Sequence, residues 1–227
     1  MLRPLQRLLE TIYDASSGHD VRDFLVTRRE ELPQERRKGG PDEELVLVEN
    51  PRRTSYLALY IDEALLKRLE QHDPLRQLDA TNIADFWTAL EGVSHFSYLM
   101  WNAGHDRGVS QLDLELQAEV DKYIASWWLL RAQHPGHVPR ELHPLLFARM
   151  RVNPQLPPAR QQLYGAASRY AARFCAGLQS ALGSNRPALR GGAVAALRRF
   201  YRMGAVRKLR HIEGQGFGAV PSTRFIC

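Results

Sequence analysis

Acidic residues are missing from a long stretch of this chain. Between Glu141 and Glu213 there is no Asp or Glu, while the same interval holds thirteen Arg and Lys. Residues 1–141 carry 17 basic and 24 acidic side chains, and residues 142–227 carry 14 and 1, so the two parts differ in net charge, −7 against +13. Lysine is scarce as well, 4 against 27 Arg. A genome rich in G and C favours arginine codons, so that ratio carries no function by itself. Codon usage does not remove Asp and Glu, so the acid-free interval is the more informative feature. Arg also makes the bidentate contacts to phosphate and carboxylate that Lys cannot.

There are two cysteines, Cys175 and Cys227. A pair so placed excludes a disulfide framework and points to a reducing compartment. No run approaches the roughly 20 apolar residues that a membrane-crossing helix needs. Arg3, Arg7 and Glu10 interrupt the apolar residues at the start, so no signal-peptide core is expected. The closing RFIC sets the cysteine off a prenylation box. These absences lead to the expectation of a soluble, cytoplasmic protein without a membrane partner. Motifs of the common catalytic classes are missing too: no P-loop, no GxGxxG after a strand, no HExxH and no nucleophile elbow. Gly214–Gly218 is glycine-rich but follows a helix near the chain end and reads as an exit rather than a phosphate cradle.

What is present suits an ordinary folded chain, with 44% hydrophobic and 25% charged residues. At 227 residues it can bury about 70% of its unfolded surface without a staple. Leu2, Leu5, Leu8, Leu9 and Ile12 space a helix over 2–13. Three extended segments follow, at 21–27, 44–49 and 54–61, the last two flanking the turn-forming Asn50-Pro51-Arg52-Arg53. The segment 28–43, rich in charge, Pro and Gly, reads as disordered. Helices are then expected at 62–71, 81–103, 109–133, 139–149, 157–182, 187–202 and 205–213, with Asp62, Thr81 and Ser110 as N-caps. The expected fold is mainly α (α+β): a helical bundle with a small N-terminal β-hairpin or three-stranded antiparallel sheet. It forms one domain, 1–227, comprising 1–61, a bundle over 62–213 and an irregular tail over 214–227.

The segment 81–103 is apolar nearly all round, as a central buried helix is, yet it carries Glu91 and His95 four residues apart. The segment 109–133 places Glu119 on its apolar face among Leu116, Val120 and Tyr123, with Glu115 at the edge. A buried carboxylate needs a partner. Glu91, His95, Glu115 and Glu119 are therefore candidate metal ligands, and Glu91, His95 and Glu119 candidate acid/base groups. The spacing is Glu-x-x-x-His, not the Glu-x-x-His that di-iron bundles take from each of two helices, so a divalent metal is only an alternative and no cofactor is predicted. Mutual pairing, or pairing with Lys122, accounts for the same residues. His134, His137 and His143 crowd a Pro/Gly joint without zinc-site spacing. Cys175 falls on an apolar face as an inert thiol.

In the acid-free interval, Arg169, Arg173, Arg198, Arg199, Arg202 and Arg207 lie off the apolar seams of their helices. Lys208 also reads as outward, with Val206 and Leu209 as the seam. Packed side by side, such helices would present a basic surface to a phosphate polyanion. The leading expectation is thus a non-enzymatic binding or accessory protein whose Arg-rich surface meets an anionic partner: nucleic acid, a phosphorylated ligand or an acidic protein. The alternatives are an enzyme or ligand-binding protein with a polar pocket between the two central helices, and a self-assembling scaffold joined through exposed Trp101, Trp127 and Trp128. The sequence itself decides neither catalysis nor homo-oligomer formation.

Overall fold

Capping chemistry sets where the long helices begin. Asp62 Oδ1 accepts from the N–H groups of Ala64 and Leu65, starting helix α2, Glu63–Gln71. Ser110 Oγ accepts from Asp113 N–H, starting α4, Gln111–Gln133. Each side-chain acceptor satisfies a donor that the first helical turn leaves open. Thr81 does not cap α3. Asp79 Oδ1 instead holds Thr81 in a turn, accepting from its N–H at 2.8 Å and its hydroxyl at 2.6 Å, and α3 runs over Ile83–Ala103. The other helices are α1 (Leu2–Tyr13), α5 (Pro158–Leu182), α6 (Pro187–Tyr201) and α7 (Ala205–Gly214), with a short π turn at Pro144–Ala148 where a longer helix was expected.

This is a computed structural model, and it describes residues 1–32, 34, 43–49, 55–148 and 154–214. Most of the segment expected to be disordered, the turn at 50–53, Arg149, Arg151 and the tail beyond Gly214 lie outside the described residues. The architecture is mainly helical. Its sheet contains β1 (Leu25–Val26), β2 (Glu43–Glu49) and β3 (Ser55–Ile61), in the order β1-β3-β2. β2 and β3 pair antiparallel, with Glu43 opposite Ile61 and Glu49 opposite Ser55. β1 pairs with β3 in parallel, Leu25 opposite Leu59. The sheet is therefore mixed, which corrects the expectation of an antiparallel one. The physical reason is connectivity: β1 reaches β3 through a long connection, which leaves it free to run parallel. Most of the strand expected over 21–27 is a 3₁₀ turn, Val21–Phe24, because Asp20 accepts from Arg22 N–H. Buried Gln6 fixes that turn to α1 by donating to His19 C=O at 2.7 Å and accepting from Val21 N–H at 2.9 Å.

β3 alternates between two buried faces. Leu59 and Ile61 join the main core, while Tyr60 packs with Leu32 and Val26. The main core runs without interruption from α1 through α3 and α4 to α7. Phe86, Leu90, Val93 and Phe96 of α3 are completely buried within it. Aromatic stacks fix the later helices: Phe174 of α5 on Phe200 of α6 at 3.8 Å between centroids, and Tyr13 of α1 on Tyr201 of α6 at 4.3 Å.

The α1–α6 contact uses two arginines expected to face a partner. Arg202 Nη1 donates to Tyr13 C=O at 2.9 Å and Nη2 to Asp14 C=O at 2.5 Å; Arg198 Nε donates to Ile12 C=O at 3.2 Å. Arg198 also lies 3.6 Å from the Asp14 carboxylate. Helix α1 ends at Asp14 in the left-handed region, φ 51°, and its last carbonyls need donors that the helix cannot supply. Arg198 and Arg202 supply them, so their outward reading is corrected to a structural one.

Candidate functional site

The turn between α6 and α7 leaves a groove of about 660 Å³, lined by Arg199, Arg202, Met203, Arg207, Arg210 and His211. No acidic residue lines it. Arg199, Arg207 and Arg210 are exposed, while Arg202 is half-buried by its task at α1. Of the six arginines selected from the sequence, three meet here: Arg199, Arg202 and Arg207. Arg169 and Arg173 are exposed on α5 but do not line the groove. Arg210 and His211 were missed, although both lie within one turn of Arg207. His211 packs near the Phe174 and Phe200 rings. Burial, then the charge of Arg199, pushes its imidazole below the ordinary range. Among the described residues of the acid-free interval, ion pairs to carboxylates are made by Arg198, with Asp14, and Lys208, with Asp113.

Lys208 overturns its sequence reading. It is completely buried, whereas Val206, expected inside, is 62% exposed. The Lys208 ammonium lies 2.9 Å from Asp113 Oδ1, donates to Tyr98 Oη at 2.9 Å and to Gln117 Oε1 at 2.8 Å, and sits 4.3 Å from the Tyr98 ring centroid. Burial pushes its pKa down, against the pull of Asp113. Gln117 carries the network onward by donating to Asp121 Oδ1 at 2.7 Å. The same carboxylate accepts from Tyr13 at 2.5 Å and from Ser94 at 2.6 Å. Asp113, Gln117 and Asp121 follow one another at four-residue spacing on α4. They thereby tie α1, α3 and α7 to one face of that helix.

Burial raises the Asp121 pKa to about 6 from the usual 3.8, although its three hydrogen-bond donors pull the other way. The folded protein therefore holds this proton more tightly than the unfolded chain does. The stability it contributes is full below about pH 4 and is lost as pH rises through about 6. Asp121→Asn keeps the shape without the titration. The stability difference, wild type minus variant, is expected to fall by on the order of 2–3 kcal/mol between about pH 4 and 7.5. Urea unfolding of both proteins across that range measures it, and a difference that does not move with pH removes the assignment.

The opposite face of α4 holds the carboxylates singled out from the sequence. Glu91, His95 and Glu115 come together, with one potential ligand atom from each within 4.8 Å of the others. His95 Nε2 lies 3.5 Å from Glu115 Oε2, and both side chains are buried. Glu119 stands beside them, paired at 2.8 Å with Lys122, which also contacts Glu91. Burial opposes the charge of Lys122, but Glu91 and Glu119 outweigh it and raise its pKa. Burial likewise opposes the charge of Glu91, and Lys122 and His95 outweigh it. Lys122 is thus the principal counter-charge of this cluster.

The remaining candidates are placed as follows. Cys175 is buried, and burial pushes its thiol well above the ordinary range, so it is an inert core group. His143 Nε2 donates to Ala172 C=O, and His137 pairs with Glu141. Trp101 and Trp127 are buried and Trp128 is half-buried, so these indoles are not the exposed assembly surface expected of them. Among the described residues, no helix is long and apolar enough to cross a membrane. No family model, curated protein or solved structure matches this chain.

Proposed function

We propose that this protein is a non-enzymatic binding protein that holds a phosphate-bearing polyanion in the groove between α6 and α7. The observation that carries the reading is the groove itself: four arginines and a histidine around about 660 Å³, with no carboxylate in its lining. Guanidinium groups clustered in this way displace counterions from a phosphate backbone, a gain that is largely indifferent to base sequence. A cytoplasmic location belongs to the same reading and rests on the two cysteines. The test is a salt titration of binding to a labelled single-stranded oligonucleotide, with heparin and an acidic peptide as comparisons. The oligonucleotide is expected to bind at low salt, with log K falling linearly in log salt. Binding of the peptide alone would replace nucleic acid with an acidic protein as partner. Binding of none of the three at low salt would end the proposal.

A second reading is favoured by one observation, the convergence of Glu91, His95 and Glu115. Two carboxylates and an imidazole suit a divalent first-row metal, and the same groups with Glu119 would form an acid/base set. Calorimetric titration with Zn²⁺ and Mn²⁺ is decisive. One ion bound per chain, and lost in His95→Ala, would move this reading to first place. Absence of binding in the wild type would retire it.

A further inference from the structure

A second concave site lies away from the α6–α7 groove. Trp127 and Arg131 are one turn apart on α4, as Arg190 and Val194 are on α6, so each pair shares a helix face. Leu182 closes α5. The three helices bring these side chains, with Trp128 and Ala132, around a cleft of about 290 Å³. Its walls combine two chemistries. Trp127 and Trp128 meet edge to face with centroids 6.4 Å apart, beside Leu182 and Val194. Against these apolar surfaces stand two guanidinium groups, and no acidic residue lines the cleft. Arg131 is held in place: it lies 5.8 Å from the Trp127 ring centroid and donates to His137 C=O at 2.7 Å. Arg190 is exposed. Trp127 itself is 5% exposed, and its buried indole N–H has no hydrogen-bond acceptor, a costly condition for a donor.

We propose that this cleft binds a small aromatic acid, a body of one or two rings carrying a carboxylate. Indole faces and edges accept a planar apolar body at stacking or edge-on distance. Guanidinium groups pair with a carboxylate in a geometry that lysine does not offer, and here no lining carboxylate competes for them. The volume lies at the small end of ligand clefts, which excludes an extended ligand. The site is independent of the polyanion groove: it shares no lining residue with it.

The probes are 1-naphthoate and its uncharged isostere 1-naphthamide, followed by quenching of tryptophan fluorescence and by calorimetry. Naphthoate is expected to bind saturably at one site, with the amide about tenfold or more weaker, the usual effect of losing a charge-assisted hydrogen bond. Arg190→Gln should weaken naphthoate by a similar factor while leaving the amide unchanged. Val194→Phe, which fills the cleft, should abolish both. Arg190 is exposed, so its variant folds whatever the outcome for Val194→Phe. Three results overturn the proposal: no saturable binding of naphthoate, equal affinity for acid and amide, or naphthoate binding that Arg190→Gln leaves unchanged. The last would place the acid elsewhere, and competition by an oligonucleotide would then trace it to the α6–α7 groove.

Discussion

Lys208→Ala is expected to destabilise the protein by about 3–5 kcal/mol, the cost of stranding one member of a buried ion pair. The substitution leaves Asp113 charged and buried without its ammonium, and it removes a donor from Gln117 Oε1 and Tyr98 Oη. Its neighbour Val206, 62% exposed, provides the contrast: Val206→Ala should stay within about 0.5 kcal/mol. Removing both charges together behaves differently, because an apolar pair of similar volume does not have to desolvate ions. Lys208→Met with Asp113→Leu should therefore recover part of the loss, the remainder being the donor that Gln117 Oε1 loses and the acceptor that the Tyr98 hydroxyl loses. Urea unfolding of the three variants measures all of this. A loss below about 1 kcal/mol for Lys208→Ala would mean that the ammonium reaches water, contrary to its burial.

Lys208 also shows where the sequence stops being readable. The rule that apolar residues face inward assigns Val206 and Leu209 to the seam of α7, and that rule is sound for most helices. Here the buried stripe contains Lys208 and Ile212, because Asp113 and Gln117 of α4 wait opposite. Those partners are remote in sequence, and nothing local to α7 announces them. On α4 the signal was within reach. Asp113, Gln117 and Asp121 repeat every fourth residue, as do Glu115 and Glu119 on another face, so the helix carries two polar stripes. Attention to the carboxylates set among apolar neighbours found the second stripe and passed over the first.

The long elements were legible for a simpler reason. Asp62 and Ser110 cap their helices by local chemistry, and the prolines and glycines that punctuate the bundle act within a few residues of themselves. The parallel pairing of β1 with β3 depends on a long connection that includes β2, and no local pattern encodes it. The arginines divide along the same line. Absence of acid marks Arg199 and Arg207 as available for an anion, and both line the groove beside Arg210. It cannot distinguish them from Arg198 and Arg202, whose guanidinium groups are occupied by carbonyls at the end of α1.

That division dictates which variant tests the groove. Replacing Arg199, Arg207 and Arg210 together with Gln is expected to lower oligonucleotide affinity by about 100-fold or more at low salt. It should also flatten the slope of log K against log salt by about 2–3, since each lost phosphate contact removes roughly 0.7–0.9 from it. All three side chains are exposed, so the unfolding midpoint should hardly change. Arg198→Gln with Arg202→Gln should do the reverse. Loss of charged donors to the carbonyls of Thr11, Ile12, Tyr13 and Asp14 should cost about 1–3 kcal/mol of stability, discounted for their partial exposure. The salt slope should then fall by no more than about 1, through Arg202 alone, because Arg198 does not line the groove. Fluorescence anisotropy at four or five salt concentrations gives both slopes, and urea unfolding gives the stabilities. If the exposed triple variant binds with the wild-type slope, the polyanion does not sit between α6 and α7. Arg169 and Arg173 on α5 would then be the next arginines to replace.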